Sequence, residues 1–212
     1  MGLTEKQIQA LKKAAMLLED RDFCPYFELK NLLRLHKARG LSACERARFC
    51  QLFSSYYGQR YLSDKWKKRF YEILFEEKND KVFINGKPNF AEILRQLKAI
   101  PGKKGYYALH FSFTSKLVAI HDEESPIDDR HVRAFFGETV PNSKKSDKER
   151  ISWFVEFVSK VKSEYSKWME CSNVSQIIKR LKRRDSRFEK CKDTRLLDFL
   201  IWKVGNKKLL VS

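Results

Sequence analysis

No stretch of this chain is apolar over the roughly 20 residues a helix needs to cross a bilayer. The longest apolar cluster, Leu196 and Leu197 through Val204, is broken by Asp198 and Lys203. The opening segment, Gly2-Leu3-Thr4-Glu5-Lys6-Gln7, lacks the apolar core of a signal peptide. The expectation is a cytoplasmic chain with no membrane partner. Cysteine is equally uninformative as a scaffold. Cys24, Cys44, Cys50, Cys171 and Cys191 are widely scattered and none belongs to a C-x-x-C pair. A disulfide framework, a structural zinc site and an iron–sulfur cluster all lack their ligand spacing. His110 and His121 stand outside any H-E-x-x-H pattern. Neither G-x-x-x-x-G-K-[ST] nor G-x-G-x-x-G occurs, and there is no internal repeat. The expectation is therefore no cofactor and no metal.

What the chain has in excess is positive charge. Lys and Arg number 44 against 27 Asp and Glu, a formal charge of +17 over 212 residues. Self-repulsion at that charge opposes compaction. A polyanion relieves it by releasing condensed counterions, which makes nucleic acid the leading partner class.

Helix signals recur along the whole length, so the fold class expected is all-α. Thr4 to Gln7, Ser42 to Glu45 and Ser146 to Glu149 each read as a capping box. The first precedes Ile8, Leu11, Ala15 and Leu18 on one face; the third opens a long helix carrying Ile151, Phe154, Phe157, Val158, Val161, Tyr165 and Trp168. Leu29, Leu32, Leu33 and Leu35 predict a helix ending near Gly40, and the Ser42 helix should run to Tyr57. Ser63 can cap a helix bearing Trp66, Phe70, Ile73 and Leu74. Between Lys81 and Asn89, Val82-Phe83-Ile84 before Asn85-Gly86 suggests a short strand entering a tight turn, or a loop. Asn89 then caps a helix through Ile100, which Pro101-Gly102 ends. Further helices are expected over Tyr106–His110, from about Thr114 to His121, and from Asp129 to Phe136. Two more are expected over Val174–Lys182 and Arg187–Val204, the last stopped by Gly205. A division into two helical lobes, 1–98 and 99–212, is placed at the Pro-Gly segment.

The chemistry-bearing stretch is Phe111 to Val118 followed by Ser125 to Val132. On this reading Lys116 lies in the first turn of its helix, where the positive end of the dipole disfavours an ammonium. A desolvated amine there is a competent nucleophile. Asp129, at the start of the next helix, would be held ionised by backbone N–H groups and could stabilise a developing cation. The plainer alternatives are that Asp128 or Asp129 is only a helix cap and that Lys116 is one of many surface lysines.

The pattern F-x-F-x-S-K-L from Phe111 to Leu117, then P-I-x-D from Pro126 to Asp129 with Val132 behind it, resembles the core of the helix-hairpin-helix DNA glycosylases. The likeness is to the compact bacterial branch related to 8-oxoguanine DNA glycosylase, and it spans roughly Ala99–Gly137. The C-terminal segment Arg195 to Trp202 resembles the ending of uncharacterised bacterial relatives. The resemblance implies a two-lobed helical glycosylase with a hairpin of helices opening at the Lys116 segment. It implies base-excision repair, with Lys116 as Schiff-base nucleophile in an abasic-site lyase step and Asp129 stabilising the oxocarbenium or orienting water. It further implies a monomer acting on double-stranded DNA that carries a damaged base. Ser112, Thr114 and Ser115 would occupy the phosphate-facing hairpin, although that segment lacks the family's glycines; Arg130 and His131 flank the aspartate. The glycine-bearing loop Pro101 to Gly105 lies upstream.

Away from this segment, Lys179, Arg180, Lys182, Arg183 and Arg184 form a dense basic patch at a helix end, suited to DNA phosphates or simply to a solvated helix C-terminus. Lys67, Lys68 and Arg69 form a weaker one. Tyr56, Tyr57, Tyr61, Tyr106, Tyr107 and Trp202 interleave with the charges, and core packing is the plain reading of most of them. The alternative function is a noncatalytic basic helical module that binds nucleic acid; a third is an interaction protein whose charge has no specific partner.

Overall fold

The capping boxes start helices where their spacing places them. In the computed structural model, which describes residues 2–76 and 82–210, the Thr4, Ser42 and Ser146 hydroxyls each accept the N–H three residues on, and their own backbone N–H groups donate back to the side-chain oxygens of Gln7, Glu45 and Glu149. The helices so opened are α1 (Glu5–Leu17), α3 (Ala43–Tyr57) and α8 (Asp147–Glu170). The others are α2 (Asp20–Arg39), α4 (Asp64–Phe75), α5 (Phe90–Lys98), α6 (Phe111–His121), α7 (Arg130–Phe135), α9 (Ser172–Arg184), α10 (Ser186–Glu189) and α11 (Asp193–Asn206). A single 3₁₀ turn, Gln59–Tyr61, follows α3. Among the described residues the only strands are β1 (Phe83–Ile84) and β2 (Lys87–Pro88), paired antiparallel across Asn85 and Gly86. Both turn residues have positive φ, 51° and 72°, as a two-residue hairpin of this twist requires. The protein is all-α. Lys81, at the edge of the expected strand region, lies outside the described residues.

The chain divides into two compact units, but not into an N-terminal and a C-terminal half. One unit comprises the residues up to Asp22 together with those from His121 onward; the other is Phe23–Ile120. In the first unit α11 is the centre, packing on α1, α7, α8 and α9. It buries Leu196, Leu197, Leu200, Ile201 and Val204, each at most 1 % exposed, so nearly its whole circumference is core. The second unit has an aromatic core in which Phe53 meets Phe49, Tyr57, Phe70 and Tyr71, and Trp66 stacks on Phe70 at 5.3 Å.

Four local expectations are corrected. Tyr106–His110 is irregular, not helical. Five residues beside Pro101 and two glycines are too few to repay helix nucleation, and the Gly102 N–H instead donates to the Tyr106 carbonyl at 3.0 Å. The Lys116 helix starts at Phe111 rather than Thr114, because the His110 carbonyl already accepts the N–H groups of Phe113 and Thr114. The span Arg187–Val204 is two helices: Asp185 accepts the Arg187 N–H and grips its guanidinium, opening the short α10, which ends at Glu189 before α11 begins at Asp193.

The fourth correction concerns Gly205, which does not stop α11; the helix runs on to Asn206. This glycine serves packing. A Cβ there would lie 2.4 Å from Nδ1 of His131 and 2.6 Å from its Cβ and Cγ. Since the His131 Cβ is fixed to the α7 backbone, the clash cannot be relieved by swinging a side-chain tip. Gly205→Ala is therefore expected to destabilise by about 1–3 kcal/mol through overpacking, despite alanine's better helix propensity. Thermal unfolding measures it; an unchanged or raised midpoint would show that α7 and α11 can separate without cost.

Candidate active site and nucleic-acid surface

The two residues with expected chemical roles stand on different units. Lys116 belongs to the second unit, Asp129 to the first.

Lys116 sits mid-way along α6, not in its first turn, so the dipole argument for a free amine does not apply to it. α6 buries Phe111, Thr114, Ser115 and the run from Leu117 to Ile120, leaving Lys116 half-buried. Its Nζ donates to the Ser112 Oγ at 3.0 Å, one helical turn back on the same face. The ammonium also lies 5.3 Å from the Tyr57 ring centre and 5.4 Å from that of Phe113. Ring faces attract an ammonium rather than a free amine.

The neighbouring hydroxyls are not where a phosphate could meet them. Thr114 and Ser115 are fully buried, and the Ser115 Oγ donates back to the Ser112 carbonyl at 3.0 Å. The expectation that these two contact DNA is corrected; the earlier helix start turned them inward. Of the hairpin set only Ser112 keeps partial exposure.

At the head of the same helix, His110 is partly buried with its Nε2 unbonded and its ring edge-on to Trp66 at 4.8 Å. Burial holds its pKa below the ordinary 6.5. The sign follows: below that value the unfolded chain takes up a proton that the folded chain resists. Stability from this residue is present above about pH 6.5 and drains as pH falls. The imidazole should titrate below 6.5 by NMR, and His110→Phe should flatten the acid limb of the stability profile. A normal titration would contradict the burial.

In the first unit Asp129 is the N-cap of α7. Its Oδ1 accepts the His131 N–H at 2.8 Å and the Val132 N–H at 3.0 Å. The other oxygen, Oδ2, has no hydrogen-bond partner among the described residues. The carboxylate is thus fixed by one oxygen and open at the other. Asp128 is a different kind of residue, 1 % exposed and paired through both oxygens with the Arg133 guanidinium at 2.7 Å.

Beside Asp129 lies a buried polar cluster that the sequence reading did not assemble. Asp198 accepts from Ile127 N–H, from the Tyr165 hydroxyl at 3.0 Å and from Arg195, whose guanidinium also donates to the Ser125 carbonyl at 2.9 Å. Burial pushes the Asp198 carboxyl up to about 7, the charge of Asp129 adding to the push while Arg195, Tyr165 and the Ile127 N–H oppose it. Burial, then the Asp198 charge, raises Tyr165 as well. The signal was present as an Arg and an Asp three apart inside an otherwise apolar run, a spacing that puts both on one helix face. These side chains anchor the Ser125–Asp129 segment that presents the cap.

The expected DNA contacts sort by exposure. Lys179, Arg180 and Arg183 project outward without an ion pair among the described residues. Lys182 instead pairs with Asp193 at 2.6 Å, and Arg184 caps α1 by donating to the Ala15 carbonyl at 2.6 Å. Arg130 is exposed, with Nε 3.4 Å from His131 Nε2, while the His131 ring is packed edge-on to Trp202 at 6.1 Å. Among the described residues no helix is long and apolar enough to cross a membrane, and no cluster of His, Cys, Asp and Glu could hold a metal ion. Comparison with protein-family models, curated proteins and solved structures finds no match to the chain.

Proposed function

We propose that this protein is a DNA-repair glycosylase that removes a damaged base from double-stranded DNA, with Asp129 as its essential carboxylate. The observation that carries the reading is the half-occupied cap. One oxygen of Asp129 is spent on two N–H groups and the other is open. A carboxylate so placed is held in position and cannot swing away, which is what stabilising charge in a transition state demands. The target nucleotide must leave the stack to be reached. As its C1′–N bond breaks, the electron pair departs with the base and positive charge builds on the sugar. Asp129 offsets that charge; a water oxygen then bonds to C1′, and the proton it loses neutralises the departed nucleobase anion. Arg130 and the outward cations Lys179, Arg180 and Arg183 supply phosphate contacts.

A lyase branch would need Lys116 to attack C1′, form a Schiff base and expel the 3′ phosphate. The Lys116 Nζ is held by the Ser112 hydroxyl and lies over two rings, so hydrolysis is the branch proposed. The test is base release from duplexes carrying 8-oxoguanine, uracil or alkylated bases, with borohydride trapping and Lys116→Gln alongside. Base release from at least one duplex is expected, without a trapped adduct, and Lys116→Gln should release as wild type does. A lysine-dependent adduct would restore the lyase branch. Inactivity on every duplex with salt-sensitive binding intact would instead support the noncatalytic module, a reading favoured by the inward turn of Thr114 and Ser115.

A further inference from the structure

We infer that the surface formed by the 3₁₀ turn Gln59–Tyr61 and the loop 101–107 is a stacking platform for single-stranded nucleic acid. Tyr61, Tyr106 and Tyr107 are 84 %, 75 % and 60 % exposed, in a unit where Phe53 packs on Tyr57 and Trp66 on Phe70. None of the three side chains makes a hydrogen bond or ring contact among the described residues. They are not scattered. The Lys103 Nζ donates to the Arg60 carbonyl at 3.2 Å, and the Ser63 Oγ donates to the Pro101 carbonyl at 2.9 Å, joining loop and turn. Within the loop, Gly102 N–H donates to the Tyr106 carbonyl and Gly105 N–H to the Gly102 carbonyl, both at 3.0 Å. Gly105, at φ 75°, supplies the left-handed residue that this closure needs. Tyr106 is thereby held beside the backbone that carries Lys103.

The charge around the rings selects the occupant. Arg60, Lys103 and Lys104 are exposed and pair with no carboxylate among the described residues. Open aromatic faces interleaved with unpaired cations match a strand whose bases stack on rings while its phosphates meet the charges. A duplex hides its base faces inside the stack, so unpaired strand is the form that fits. The partner class is that of the proposed function, but the inference uses none of its chemistry.

The test is fluorescence anisotropy of the full chain with a labelled oligothymidylate of about 15 nucleotides, a length on the order of a single-strand binding site. Oligouridylate and a duplex of matching length are run in parallel. Tyr61→Ala, Tyr106→Ala and Tyr107→Ala should each weaken oligothymidylate binding by roughly tenfold and change duplex binding little. The three Tyr→Phe variants, which keep the ring, should bind as wild type. Equal behaviour of oligouridylate would show a platform indifferent to the sugar; binding confined to oligothymidylate would show one specific for DNA. No binding of either strand, or Ala variants that bind like wild type, would overturn the inference. Asp129→Asn should bind the single strand normally. Absent base release with tyrosine-dependent binding would therefore sink the glycosylase reading and leave the platform standing.

Discussion

Asp22→Asn is expected to destabilise the protein by about 3–5 kcal/mol, the cost of leaving a buried charge without its partner. The Lys203 Nζ lies 2.6 Å from the Asp22 Oδ2, and the two side chains are 1 % and 6 % exposed. They stand 181 residues apart in sequence, so the pair ties the start of α2 to α11 within one unit. Asn keeps an acceptor for the Glu19 N–H, which Asp22 receives at 2.9 Å, so the change isolates the charge. Against a total of about 5–15 kcal/mol the loss is large. It should lower the unfolding midpoint by on the order of 10 °C. Adding Lys203→Met should recover most of the stability, because the pair as a whole gains little over an apolar fill. A single variant as stable as wild type would show that the ion pair contributes nothing.

The second large effect is chemical. Asp129→Asn should lower single-turnover base release by roughly 10²–10³-fold, the scale set by removing one electrostatic stabiliser from a transition state. Asparagine is as good an N-cap as aspartate, so α7 should keep its start and the fold its stability. That separation makes the substitution informative. Asp129→Ala would remove cap and charge together, with about 1 kcal/mol lost from the helix as well.

Much of the fold was legible because helix starts are written locally. Ser42 with Glu45, or Ser146 with Glu149, satisfies orphan N–H groups through side chains only three residues apart. Asn85-Gly86 was readable for the same reason. Where tertiary packing decided, the sequence was ambiguous. Gly205 carries the mark of a helix end, yet what it does depends on His131, which approaches from α7. The earlier start of α6 rests on Phe111, whose burial is a property of its surroundings. That shift of three residues turned Thr114 and Ser115 inward and moved Lys116 away from the dipole. The boundary between the units was equally hidden, since the N-terminal helix joins the C-terminal residues and not those that follow it. For the candidate site, Asp129 as a cap was legible from its place before an apolar run. Its free oxygen and the Arg195–Asp198–Tyr165 cluster behind it were not, because those partners come from α8 and α11.

The most direct measurement of the central claim is single-turnover base release from the lesion-bearing duplexes by wild type and Asp129→Asn, with duplex affinity measured on the same samples. Release by the wild type, a loss of roughly 10²–10³-fold in the variant, and equal affinity for both are expected. Equal release by the two proteins, or none by either while both bind, would contradict it.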